Sequence, residues 1–97
     1  MVSIATVRSV GSGSEEVVGE MVIGALKESK ADLGIATSGI AGAGGGSPER
    51  PVGTVCLAWK INGEPEIKKT FLFKGSRNEV RYKTAVKALE EAISLFK

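Results

Sequence analysis

The stretch SGIAGAGGGSPERPVG, from Ser38 to Gly53, holds six of the thirteen glycines in the chain. Residues without a Cβ reach positive φ and let main-chain N–H groups approach a ligand closely. The run therefore reads as a loop for main-chain contacts with an anionic or polar small molecule; a tight structural turn is the alternative that these residues leave open. Immediately before it, Leu33 to Thr37 is a short apolar stretch that reads as a buried strand delivering the loop at its end. After it, Val52 to Ile61 is rich in β-formers, and Asn62-Gly63 is a hairpin signal before a second strand from about Glu66 to Phe73. These two strands are expected to pair antiparallel.

Working outward, Ser14 is a good N-cap and Glu15 and Glu16 suit a helix N-terminus. Val17, Val18, Met21, Val22, Ala25 and Leu26 then recur at helical spacing, predicting a helix that ends near Ser29 or Lys30. Gly75 breaks the chain, and Ser76-Arg-Asn-Glu79 is a capping box that opens a long helix to about Phe96. On that helix Tyr82, Ala85, Val86, Leu89, Ala92, Ile93 and Phe96 form one apolar face. Trp59, Phe71 and Tyr82 follow the buried periodicity of their elements and are assigned to the core. Near the start, Val2, Ile4 and Thr6 alternate as in a strand, whereas Ser3 equally suits a helix cap. The expected architecture is α/β: a small three-stranded mixed or antiparallel sheet packed with two main helices, both on one face. Because Val52 to Trp59 is apolar on both sides of its alternation, the second sheet face then calls for an interface or further structure.

Composition narrows the function classes. With 97 residues and 42% hydrophobic content, the chain fits a single domain over residues 1–97. A net charge of +2, scattered along the sequence, and few aromatics argue against nucleic-acid binding. No apolar run reaches membrane-spanning length and the N-terminus lacks signal-peptide character, so a cytoplasmic protein without membrane partners is expected. Cys56 is the sole cysteine and histidine is absent, which leaves no imidazole to activate a thiol or complete a zinc site; Cys56 is read as a small core residue. No metal or cofactor is expected. The glycine run also departs from the familiar phosphate motifs. Ser47-Pro48-Glu49 follows it in place of a Lys-Ser/Thr pair, Pro48 and Pro51 lead toward a strand rather than a helix, and neither Ser38 nor Ser47 sits in G-x-S-x-G.

From Thr37 onward the string T-S-G-I-A-G-A-G-G-G-S-P-E-R-P-V-G-T-V resembles the characteristic segment of the C-terminal domain of the competence/damage-inducible protein CinA, S-[TS]-G-I-A-G-P-[GD]-G-G-[ST]-x-E-[KR]-P-V-G-T-V. Gly11 to Val18 looks like the family's G-A-V-S-E-x-V-V before a helix, and Gly75 to Arg81 like its G-[DS]-R-x-x-[VI]-R. The similarity covers essentially the whole chain, and the chain corresponds to the later part of the family's domain. Val2-Ser3 falls where a short helix begins in the family, so the resemblance implies helix over residues 3–10. Ala43 departs from the family's usual proline, which implies a slightly less rigid loop.

The resemblance implies a nicotinamide mononucleotide amidohydrolase ancestry, a place in NAD salvage and a nicotinamide mononucleotide-like ligand. It puts Ser38 at the position of an active-site hydroxyl. It also makes Gly39, Ile40, Ala41, Gly42, Gly44, Gly45 and Gly46 a ligand-facing loop, and it matches Arg77 to an arginine suited to the substrate phosphate. A solvated helix face is the alternative for Arg77 and Arg81, and Glu49 and Arg50 are ranked as loop scaffold. The family's serine nucleophile lies in E-S-C-T-G-G and its activating tyrosine and lysine in T-Y-S-N-x-x-K, and neither string occurs in these 97 residues. Three readings follow. The first is a nucleotide-binding module without its own nucleophile. The second is an amidohydrolase, active with a complementary chain or through Ser38. The third is an oligomerising domain whose open sheet face forms a homo-oligomer.

Overall fold

The computed structural model describes residues 3–10, 15–39 and 53–95. At its centre lies β2, Leu33–Gly39, in which Leu33, Ile35 and Ala36 are buried. A strand covered on both faces needs both edges paired, because its N–H and C=O groups have no water to satisfy them. On one edge it pairs antiparallel with β3, Thr54–Ile61, which continues through Asn62-Gly63 into an antiparallel β4, Ile67–Leu72. Gly63 takes φ +89° in that turn, where the Glu64 N–H donates to the Ile61 carbonyl at 2.9 Å. On the other edge lies β1, Ile4–Val10, parallel to β2 from Ile4 opposite Leu33 to Val10 opposite Gly39. The sheet order is β1-β2-β3-β4, so the sheet has four strands and is mixed.

This corrects two expectations, three strands and helix over residues 3–10. The Ser3 N–H donates to the Asp32 carboxylate at 2.9 Å and the Asp32 N–H to the Ser3 carbonyl at 3.0 Å, which pins the starts of the two strands together. The alternation of Ile4 and Thr6 then suits the pleat, and β1 supplies the main-chain partners that the buried β2 needs.

The helices also differ from expectation, since they lie on opposite faces. Helix α1, Glu15–Ser29, packs Val18 and Val22 against Ala36, Cys56 and Ala58. Helix α2, Arg77–Leu95, packs Val80, Ala88 and Ala92 against Leu33, Ile35, Val55, Leu57 and Trp59. The two-sided apolar pattern of β3 is thereby explained without a partner, because each side of its alternation meets a helix. Gly34 allows the close approach of α1: a Cβ there would stand 2.9 Å from a Val22 methyl and 3.1 Å from Leu26. Lys30 closes α1 in the left-handed region, φ 59°, with its N–H on the Leu26 carbonyl at 3.1 Å. The expected caps divide. The Ser76–Glu79 box is formed, whereas Ser14 lies outside the described residues, as do Val52 and Phe96.

The apolar face read for α2 is only partly the buried one. Ala92 is buried, but Tyr82 is 72% exposed and Leu89 and Ile93 are also exposed, so Tyr82 is not core. The helix approaches the sheet chiefly at β3 and is fastened there by the buried Trp59, whose indole N–H donates to the Ala88 carbonyl at 3.1 Å. Phe71 is half-buried and stacks on Phe73 with ring centroids 5.6 Å apart. Cys56 is buried, with its sulfur 3.4 Å from the Thr70 hydroxyl.

Candidate functional site

The parallel strands β1 and β2 end side by side at Val10 and Gly39, and the glycine run departs from Gly39. In α/β sheets the C-terminal ends of parallel strands are where ligands gather, since loops rather than further strand occupy that edge. A cleft of about 600 Å³ opens there, between these ends and the N-terminal half of α2. That volume suits a small organic ligand.

Charge is what distinguishes this cleft. Arg8 from β1 and Arg77 and Arg81 from α2 line it, with no carboxylate among the described lining residues. Among the described residues the sole ion pair is Lys69–Glu91, so none of these guanidinium groups is neutralised by a described acid. Arg8 stands opposite Thr37 in the strand register, and Arg77 and Arg81 are four residues apart on one helical face. Three planar donor forks in the lining of one cleft, beside the uncharged Thr37, Gly39 and Val55, are suited to a phosphate or another compact anion.

The capping box closes the first turn of α2, the helix that begins at Arg77. The Ser76 N–H donates to the Glu79 carboxylate at 2.9 Å and the Glu79 N–H to the Ser76 hydroxyl at 3.2 Å. The Ser76 amide, followed by the Ser76 hydroxyl, holds the Glu79 carboxyl below the ordinary glutamate value. Glu79 is thereby kept as a cap and is absent from the lining of the cleft.

Of the residues singled out from sequence, the structure brings Gly39 and Arg77 to this cleft. Ile40, Ala41, Gly42, Gly44, Gly45 and Gly46 lie outside the described residues. Ser38 is fully buried and stands opposite Cys56, on the α1 side of the sheet. Its neighbour Thr37, on the opposite side by strand alternation, lines the cleft, as do the hydroxyl residues Ser9, Tyr82 and Thr84. Arg8, Thr37 and Arg81 were not selected as site residues, although Thr37 and Arg81 fall within the family strings quoted above. The i, i+4 spacing of Arg77 and Arg81 was the available signal for one of them, while Arg8 joins the group only through the parallel pairing. Among the described residues no cluster of His, Cys, Asp or Glu is placed to hold a metal ion, and no helix is long and apolar enough to cross a membrane.

Comparison with known proteins places the chain in a family. The model of the CinA C-terminal domain family matches residues 1–96. A nicotinamide-nucleotide amidohydrolase PncC of Escherichia coli strain K12 is 45% identical over 85 residues, covering 88% of this chain and 52% of that protein. A CinA-like protein of Akkermansia muciniphila is 47% identical over 79 residues, covering 81% of this chain and 19% of that protein. Among solved structures, the competence/damage inducible protein CihA from Agrobacterium tumefaciens superposes with a TM-score of 0.89 at 26% identity, over 99% of this chain and 86% of that one. A competence or damage-inducible protein from Enterobacter asburiae gives 0.79 at 38% identity, over 87% and 52%. The chain spans about half the length of the PncC relatives and about a fifth of the CinA-like ones. With a family match across nearly every residue and the same fold in solved relatives, this chain belongs to the CinA C-terminal domain family.

Proposed function

We propose that this chain binds the phosphate end of a nicotinamide mononucleotide-like ligand in the arginine cleft and acts as a nucleotide-binding module. The observation that carries the reading is that Arg8, Arg77 and Arg81 all line one cleft at the C-terminal ends of β1 and β2, with no carboxylate among its described lining residues. A dianionic phosphate suits three guanidinium forks better than a neutral ligand does. The glycine run from Gly39 to Gly46 begins at this edge, and in this reading its main-chain N–H groups complete the ligand's surroundings. The name of the PncC relatives supplies the ligand class.

Hydrolysis is a second reading, favoured by the amidohydrolase name of those relatives. It assigns attack on the amide to a serine with a positioned base. These 97 residues contain neither E-S-C-T-G-G nor T-Y-S-N-x-x-K, so in this reading the nucleophile comes from a complementary chain or is Ser38.

Titration with nicotinamide mononucleotide and with nicotinamide riboside, which lacks the phosphate, tests the first reading, with ammonia assayed in the same samples. The mononucleotide should bind at least about tenfold more tightly, and Arg77→Ala or Arg81→Ala should each weaken it by roughly ten- to a hundredfold, the value of a hydrogen bond to a charged group. Equal affinity for the two ligands, or binding indifferent to both arginines, rejects the phosphate site. Ammonia release that disappears in Ser38→Ala would establish the hydrolytic reading instead.

A further inference from the structure

Helix α2 carries two apolar stripes, of which one packs on the sheet and the other reaches the arginine cleft only at Tyr82. Val80, Ala88 and Ala92 meet the sheet. Tyr82, Val86, Leu89 and Ile93 are 72%, 37%, 57% and 60% exposed. The outer four are spaced four, three and four residues apart, the rhythm of a helix–helix seam. At about 100° per residue this seam lies nearly opposite the stripe that faces the sheet. A helix apolar on both sides is ordinarily covered on both, and a contiguous exposed apolar strip of this kind marks an association surface.

The charges beside the seam indicate what covers it. Lys83 and Glu90 flank it on one side and the exposed Ala85 on the other, beyond which Ala92 turns into the core. The remaining charges of the helix centre are engaged with β4, since the Lys87 ammonium lies 5.6 Å from the centroid of the Phe71 ring and Glu91 pairs with Lys69 at 3.1 Å. We propose that a second copy of this chain docks its own α2 antiparallel on this seam, about a two-fold axis between Val86 and Leu89. Val86 then packs on Leu89 of the second copy and Tyr82 on its Ile93. In that arrangement like flanks face each other, so Lys83 meets Glu90 of the second copy and the symmetry repeats the pair. The other flank presents the small, uncharged Ala85 and places no charge there. A parallel arrangement sets the charged flank against the alanine flank and leaves both charges unpaired. Lys83 gives one N–H to the Lys74 carbonyl at 2.5 Å, and an ammonium retains two more donors for this contact. The surface is thus self-complementary, as a two-fold interface must be.

Analytical ultracentrifugation of the full chain from micromolar to millimolar concentration tests this. The wild type should show a concentration-dependent monomer–dimer equilibrium, and Leu89→Glu, at an exposed position, should be monomeric with unchanged helix content. Lys83→Glu and Glu90→Lys should each weaken the dimer by about tenfold, as two surface pairs become repulsive contacts, and the double exchange should restore it. Orientation is read from disulfides: chains carrying Val86→Cys and Leu89→Cys, mixed and oxidised, should link unlike chains in preference to like ones. A wild type that stays monomeric throughout overturns the proposal. A dimer insensitive to Leu89→Glu, an exchange that fails to restore association, or preferential linkage of like chains does so equally.

Discussion

Replacing Trp59 by Phe probes how α2 is held to the sheet. Trp59 is fully buried in β3, and its indole N–H on the Ala88 carbonyl is a polar tie between that strand and the middle of α2. Phenylalanine keeps an aromatic ring in the core but removes the donor and part of the volume. The Ala88 carbonyl sits mid-helix and keeps its helical N–H partner, so the loss is that of an ordinary hydrogen bond, about 1 kcal/mol. The smaller ring leaves unfilled space in a close-packed core, worth a further 1–2 kcal/mol or about that. Together these amount to about 2–3 kcal/mol, on the order of 10–20 °C in Tm for a domain of this size. Urea unfolding followed by circular dichroism measures the change, and hydrogen exchange locates it. Protection in α2 should fall more than protection in β2 and β3, because α2 meets the sheet mainly at β3. A Tm within a few degrees of wild type, or protection lost evenly through the sheet, refutes the assignment of this bond as the fastening of α2.

Other substitutions test separate parts of the fold. Gly34→Ala should destabilise by about 1–3 kcal/mol, since its methyl would press on Val22 and Leu26; a neutral urea midpoint would mean that α1 shifts without cost. The Glu79 cap gives a pH dependence of defined sign. Its folded pKa is lowered, so its contribution is present above the unfolded value and fades as pH falls through the folded one. Stability followed down through the carboxylate range should therefore decline less steeply in Glu79→Gln than in wild type, and parallel profiles would remove Glu79 from the account.

Local signals were legible where local chemistry decides the outcome. Asn62-Gly63 gave its hairpin, Ser76 and Glu79 their cap, and Val18, Val22 and Leu26 the buried side of α1. What escaped depends on long-range choices. Residues 3–10 become a strand because β2 needs an edge partner, a requirement that does not reside in those residues themselves. In α2, periodicity finds apolar stripes but does not rank two of them, and the smaller one won because Ala88 and Ala92 allow close approach to Trp59 and its neighbours. For the site, the glycine motif begins at the edge of the sheet where the cleft opens, with Gly39 and Arg77 in its lining. Alternation puts Thr37 and Ser38 on opposite faces, but which face bears the cleft follows from the placement of α2.

The two margins of the sheet differ in how they would treat an additional strand. Along β4, Lys68 and Lys69 stand next to each other in a strand of six residues, a placement that discourages edge-to-edge pairing. Along β1, seven residues carry Arg8 as their single charge, with Ile4 half exposed, and among the described residues nothing pairs with the outer side. If chains associate through main-chain hydrogen bonding, growth therefore starts at β1. The arginine that equips the cleft is also the one charge guarding that margin against aggregation, so exchanging Arg8 for a neutral residue touches solubility as well as ligand binding.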